Sequence, residues 1–120
     1  MIKELSSSEQ KFLDAWQLYG LEDSDPLCQW SHEDLVSLAG RKYVYDFAWP
    51  LCKILIEVHG VGWGHSKPQG QERDAHKTRM ALEHGYVVIP VTTGCMSSEQ
   101  KRRDLIYQIV SIIQVQGTWG

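Results

Sequence analysis

Cysteine is scarce in this sequence, and the few cysteines present are poorly placed for cross-linking. The three, Cys28, Cys52 and Cys95, form an odd and scattered set without a Cys-x-x-Cys pair. This pattern argues against a disulfide framework and against a structural zinc site. It predicts a protein of a reducing compartment, the cytoplasm.

Long apolar segments are also missing. No apolar run approaches the roughly 20 residues that are needed to span a bilayer. Residues 1–8 lack the charged-then-apolar layout of a signal peptide. We therefore expect no membrane partner. With 120 residues, of which 42% are hydrophobic, the chain is expected to form a single domain over residues 1–120.

A surplus of positive charge, the usual mark of a nucleic-acid-binding protein, is absent from the whole chain, whose formal net charge is −3. The charge is unevenly distributed, however. Residues 1–40 contain eight acids and two lysines, for a net charge of −6, whereas residues 41–120 contain ten basic and seven acidic residues, for a net charge of +3. The second part is therefore compatible with a polyanion-binding site, although charge alone does not establish one.

Two short apolar runs, residues 43–49 and 54–58, are separated by a proline-containing break at 50–53. Runs rich in Val, Ile, Tyr and Phe around such a break predict a β-hairpin. If residues 50–53 form the loop, Trp49 lies opposite Ile54, and this pair sets the register of the hairpin.

In that register Asp46 lies directly opposite Glu57. Carboxylates in this relation have Cβ atoms roughly 4.5–5.5 Å apart and repel each other. Their repulsion raises one pKa unless a cation lies between them. Mg²⁺ prefers one or two carboxylates together with water and phosphate oxygens, so the pair is a candidate metal site. The alternatives are that one acid points to solvent or to a Lys or Arg partner, or that a change in loop length breaks the pairing.

The remaining pattern predicts helices and a third strand on either side of the hairpin. The helices are expected over residues 7–19, 31–38 (short), 71–84 and 98–115, and the strand over residues 86–92. Because that strand is apolar on both faces, we expect it in the centre of the sheet, with Pro90 near a strand end or at an unpaired edge. The fold class is thus α/β, a small mixed β-sheet with a central hairpin and helices on both faces.

Two further features lie near the hairpin. Glu9 completes a capping-box pattern at the start of the first helix and shares that helix's apolar face. It is therefore either a cap alone or a third acid directed at the Asp46/Glu57 pair. The glycine-rich segment 60–70 lacks the spacing of a nucleotide-binding P-loop and is expected to form a flap that carries Trp63 and His65.

The order and spacing of these residues resemble the restriction-endonuclease-like PD-(D/E)XK nuclease superfamily. The resemblance covers about residues 6–92 and is strongest to its small members similar to the very-short-patch mismatch-repair endonuclease. Holliday-junction resolvases are a more distant likeness. The residues that carry it are Glu9, Asp46, Glu57, His59, His65, Arg73, Asp74, Lys77 and the run from Gly85 to Ile89.

This resemblance implies a restriction-endonuclease-like fold and an endonuclease that hydrolyses DNA phosphodiester bonds with Mg²⁺, or Mn²⁺ in its place. The implied metal ligands are Asp46, Glu57 and the backbone carbonyl of Val58. The implied catalytic residues are Asp46, Glu57, His59, Glu9, Lys77 and His65, and the implied nucleic-acid-binding residues are Trp63, Lys67 and Arg73. A homodimer is the expected form for cutting both strands.

The sequence departs from the family pattern at two positions. His59 occupies the place of the usual lysine, and either Lys77 or Arg73 is expected to supply the missing positive charge. Pro90 occupies a place where small relatives tend to carry arginine. These departures leave open a second hypothesis, a catalytically inactive nucleic-acid-binding or subunit-interaction module on the same fold.

Overall fold

The computed structural model describes residues 4–59 and 68–116 and shows a four-stranded sheet covered by three helices. The helices are α1 (Ser7–Tyr19), α2 (Pro68–Glu83) and α3 (Glu99–Gln116), and the strands are β1 (Leu27–Trp30), β2 (Tyr45–Trp49), β3 (Ile54–His59) and β4 (Val87–Thr92). The strands lie in the order β1-β2-β3-β4, with two antiparallel pairings followed by one parallel pairing. The prediction of a small mixed sheet around a central hairpin is therefore confirmed.

The β2–β3 hairpin has the predicted register. Trp49 pairs with Ile54, and Ala48 pairs with Leu55. Pro50–Cys52 forms one turn of 3₁₀ helix, and Lys53 closes the loop in the left-handed region with a φ of 60°. The short loop fixes the register because any shift in the strand pairing would need a loop of a different length.

The core lies in two layers, one on each face of the sheet. On the first face, α1 and α3 cover the alternate side chains of β3, Ile54 and Ile56. On the second face, Leu55 packs in a separate cluster with Ala81 of α2. Each helix is thus held by a buried apolar stripe, and the prediction of helices on both faces is confirmed.

The first helix begins and ends where the capping signals predict. Ser6 is the N-cap, its hydroxyl accepts the N–H of Glu9, and the Glu9 carboxylate accepts the N–H of Ser6. Gly20 follows the last residue of α1, and its N–H donates to the carbonyl of Trp16. The two reciprocal hydrogen bonds between Ser6 and Glu9 satisfy two of the backbone N–H groups that are free at the start of α1.

The predicted helix over residues 31–38 is wrong. This segment instead enters a narrow turn in which Val36 forms a bridge with Lys42, and the N–H of Ser37 donates to the carbonyl of Arg41. Gly40 has a φ of +81°, which suits a reversal of the chain and not a helix. The Ser31-His-Glu-Asp34 pattern is compatible with a helix start, but of the apolar residues that follow it only Leu35 is buried in the core, and Leu38 is exposed.

Strand β1 was not predicted. It has only four residues, and Gln29 within it has a φ of 50°. Two of its side chains, Leu27 and Cys28, are exposed. A short strand without apolar alternation gives little signal in the sequence, and its formation depends on pairing with β2.

Strand β4 lies at the edge of the described sheet, and its predicted central position is wrong. The N–H of Val87 donates to the carbonyl of Lys53, so the N–H groups of alternate residues, 89 and 91, face β3 as well. The N–H that Pro90 lacks would therefore face away from β3, where no partner strand needs it. Apolar residues on both sides of β4 reflect cover by helices on both faces of the sheet, which does not require a central position.

Candidate functional site

The candidate site lies where β2 separates from β3. The regular pairing of the hairpin ends with Phe47 and Ile56, and beyond it the Asp46 side chain accepts a hydrogen bond from the N–H of Val58 (2.7 Å). Tyr45 packs in the cluster under α2, whereas strict alternation would place it with Phe47 on the opposite face. Asp46 is therefore located at a local change in strand geometry, where its carboxylate reaches the backbone of the neighbouring strand.

Three carboxylates meet at this point. Burial, a hydrogen bond with Glu9 and the charge of Glu57 together raise the pKa of Asp46 to about 8, against the opposing effect of the N–H of Val58. Two carboxyl groups in hydrogen-bond contact must share a proton, or their charge must be offset by a cation. The predicted convergence of Asp46 and Glu57 is thus present.

Glu9 has both of the roles between which its sequence position left a choice. Its Oε1 accepts the N–H of Ser6 in the capping box (2.7 Å), and its carboxyl group also contacts Asp46. The cap fixes the backbone at the start of α1, which places the side chain beside β2.

Glu57 is paired with Lys77 of α2. Lys77 Nζ lies 2.5 Å from Glu57 Oε1, and the two side chains are only 18% and 14% exposed. Burial raises the pKa of Glu57, while the positive charge of Lys77 opposes that rise. Glu57 Oε1 is buried and accepts no hydrogen bond of normal geometry from the described residues, so its contact with Lys77 is chiefly electrostatic. Of the two residues expected to supply positive charge, it is Lys77 that reaches Glu57.

Lys77 is held in place by its neighbours. Its Nζ donates to the carbonyl of Val44 (2.5 Å) and lies 4.7 Å from the centre of the Tyr45 ring. The Tyr45 hydroxyl in turn donates to the carbonyl of Lys77 (2.9 Å). Tyr45 is fully buried. The sequence indicated only that Tyr45 is an apolar strand residue and did not predict that it positions Lys77.

A cavity of about 240 Å³ opens beside this pair, and His59 and Asp74 lie on its wall together with Glu57 and Lys77. Burial lowers the pKa of His59, and the charge of Asp74 opposes that shift. The sequence placed Asp74 and Lys77 on one helix face but gave Asp74 no role at the site. The cavity can admit a phosphate-sized group, and each of its two sides, β3 and α2, carries one acid and one basic side chain.

The side-chain oxygens at this site are of the kind that the implied Mg²⁺ binds. Residues 4–59 and 68–116 contain no group of three or more His, Cys, Asp or Glu side chains gathered as metal ligands. Mg²⁺ does not require one, because it commonly binds one or two carboxylates and keeps several waters. Two carboxylate side chains and the raised pKa of Asp46 fit such an ion.

The backbone of Val58 adds a third oxygen. In an extended strand the N–H and C=O of one residue point to the same neighbouring strand. Because the N–H of Val58 donates to Asp46, its carbonyl also faces the side of β2. The Val58 carbonyl is therefore on the side of β3 that faces Asp46, where the family resemblance implies a metal ligand.

Of the other predicted site residues, three are not described by the structure and one lies at a different groove. Trp63, His65 and Lys67 fall outside the described residues, so their expected places beside the site stay predictions. Arg73 lies on α2 but lines a separate groove with His76.

Comparison with protein-family models, with curated proteins and with solved structures found no match for this chain. Within the described residues, no helix is both long enough and apolar enough to cross a membrane.

Proposed function

We propose that this protein is a metal-dependent endonuclease that hydrolyses phosphodiester bonds in DNA, of the restriction-endonuclease-like PD-(D/E)XK type. The observation that supports this most is that Asp46 lies against Glu57, which in turn pairs with Lys77 on the wall of one cavity. Two acids on adjacent strands with a positive charge beside them are what the family resemblance implies, and Lys77 of α2 supplies the charge that His59 cannot supply when neutral.

The residues have distinct roles in this proposal. Asp46, Glu57 and the carbonyl of Val58 hold Mg²⁺, and Glu9 positions Asp46 through their shared hydrogen bond. Bound Mg²⁺ supplies a Lewis acid for the scissile phosphate and lowers the pKa of a coordinated water.

Two residues of the cavity, Lys77 and His59, act at the phosphate. The ammonium of Lys77 stabilises negative charge that develops there, because its position is fixed before the substrate arrives. His59, whose lowered pKa favours the neutral ring near pH 7, accepts a proton from the attacking water. In this arrangement Lys77 keeps its contacts with Val44 and Tyr45 and exchanges only its contact with Glu57 for one with the phosphate.

Cleavage assays on plasmid, mismatched, branched and single-stranded DNA, with Mg²⁺ and with Mn²⁺, test the proposal. We expect Asp46→Asn and Glu57→Gln to abolish cleavage while DNA binding persists. Glu83→Gln is the matched control, because Glu83 is an exposed acid at the end of α2. Retention of full cleavage by both site variants would exclude the proposed mechanism.

The second candidate is a non-catalytic nucleic-acid-binding module. It is favoured by the Lys77–Glu57 contact, because an occupied carboxylate oxygen is less available to a metal. Binding of DNA without cleavage under any Mg²⁺ or Mn²⁺ condition would support this candidate over the enzyme. The proposed homodimer is tested in the same samples by light scattering with and without DNA.

A further inference from the structure

A second groove, of about 520 Å³, borders α2 and shares no lining residue with the Glu57–Lys77 cavity. The helix contributes Arg73, His76 and Arg79 to its wall, and residues 37–39 of the connection between β1 and β2 form the facing wall. The proposed reaction uses none of these contacts.

The facing wall is an ordered turn, here called the 35–43 turn. Val36 pairs with Lys42 across it, and the N–H of Gly40 donates to the carbonyl of Ser37 (2.9 Å). At its tip the Leu38 side chain is 92% exposed. An apolar side chain that a hydrogen-bonded turn holds exposed is available for contact with a ligand.

A hydrogen bond joins the turn to the helix. The hydroxyl of Tyr43, at the end of the turn, lies 2.6 Å from Nδ1 of His76. Tyr43 is buried, so this contact fixes the ring of His76 and sets the width of the groove. Because Nδ1 is occupied by Tyr43, Nε2 is the ring nitrogen that remains to meet a ligand.

The groove carries an excess of positive charge. Arg73 and Arg79 are exposed on its helical wall, and exposed Arg41 and Lys42 lie in the 35–43 turn. The acid on the helical wall, Glu72, lies 3.4 Å from Arg79, with side-chain exposures of 78% and 60%. Such an exposed pair is weak, so Arg79 can exchange this carboxylate for a phosphate.

The groove is close to the proposed site of cleavage along the chain. Arg73 precedes Lys77 by four residues, which is about 6 Å along a helix axis. One strand of DNA carries a phosphate every 3.4 Å or so of its axis. A strand whose scissile phosphate meets Lys77 can therefore place a phosphate one or two nucleotides away against Arg73.

We propose that this groove binds the phosphodiester backbone of a nucleic-acid strand flanking the cleaved bond, with Leu38 packed against a sugar or base. Arg73 and Arg79 contact phosphates, and His76 donates or accepts through Nε2. The position of the cut relative to the groove rests on the proposed nuclease function, whereas the binding itself does not.

Salt-dependent binding of fluorescent oligonucleotides, measured by anisotropy without divalent metal, tests the groove separately from catalysis. Each lost phosphate contact lowers the slope of log K against log salt by about 0.9 on duplex DNA. We expect the double variant Arg73→Ala/Arg79→Ala to lower that slope by about 2 and to weaken binding at least about tenfold at low salt. The matched control is Arg103→Ala, because Arg103 is exposed on α3, at the opposite face of the sheet.

A second variant tests the turn. Leu38→Glu introduces a negative charge at an exposed tip without touching the core, and we expect it to weaken binding as well. Duplex DNA, single-stranded DNA and single-stranded RNA of equal length show which nucleic acid the groove prefers.

The outcomes separate the two proposals. Reduced binding by the groove variants, together with no cleavage by the wild type, supports the groove and overturns the nuclease. Unchanged binding by both groove variants, absent binding by the wild type, an equal loss in Arg103→Ala, or equally effective competition by polyglutamate overturns the groove.

Discussion

Lys77 Nζ lies between Glu57 of β3 and the carbonyl of Val44, at 2.5 Å from an oxygen of each. One ammonium thus joins α2 to both strands of the hairpin at the point where they separate. The contact stabilises a buried carboxylate that would otherwise be uncompensated, and the first prediction concerns its removal.

Lys77→Met should destabilise the protein by about 1–3 kcal/mol, somewhat below the cost of breaking a fully buried pair. The physical reason is that Glu57 stays buried without its counter-charge. Urea unfolding measures the difference. Arg79→Met, which breaks the exposed pair with Glu72, is the control and should cost no more than about 1 kcal/mol. Equal losses in the two variants would contradict the prediction.

The apo protein should lose stability as pH rises from about 4 to about 8, because of Asp46. The folded-state pKa of this carboxyl is raised from the ordinary value of 3.8 to about 8, so the folded protein binds the proton more tightly than the unfolded chain does. The contribution is fully present below about pH 4 and is lost as pH rises through about 8. The side chain at position 46 cannot ionise in Asp46→Asn, so the unfolding temperature of this variant should fall less between about pH 4 and about pH 8 than that of the wild type. Parallel pH profiles for the two proteins would contradict the assignment.

Mg²⁺ should raise the unfolding temperature, and more so at pH 8 than at pH 5. A cation that binds only the folded state stabilises it, and it competes less with a proton on Asp46 at pH 8 than at pH 5. Differential scanning fluorimetry with and without millimolar Mg²⁺ measures the shift. The shift should vanish in Asp46→Asn and persist in Glu83→Gln, and an equal shift in all three proteins would exclude a site at Asp46.

Ser6→Ala should destabilise the protein by about 1 kcal/mol, because it removes the hydroxyl that accepts the N–H of Glu9. Since Glu9 also contacts Asp46, the variant should in addition weaken the Mg²⁺-dependent gain in unfolding temperature. Ser7→Ala is the control, because Ser7 is exposed and lies inside the helix. If Ser6→Ala changes stability but leaves the Mg²⁺ response intact, the cap does not position the site.

The sequence by itself determined the features that depend on neighbours within a few residues. The capping box at Ser6 set the start of α1, the loop at 50–53 set the pairing of Trp49 with Ile54, and Gly85, with a φ of +86°, marked the end of α2. These follow from local hydrogen bonds and from backbone angles that few residues can adopt.

Tertiary structure alone decided which distant groups meet. Asp46 leaves the regular pairing to reach the N–H of Val58, and Lys77 crosses from α2 to Glu57. Residues 31–38 form no helix and β4 lies at an edge, because pairing and cover by other elements outweigh weak local preference. Such contacts join residues more than ten positions apart, and their geometry depends on how whole elements pack. The spacing of residues along the chain therefore could not specify them.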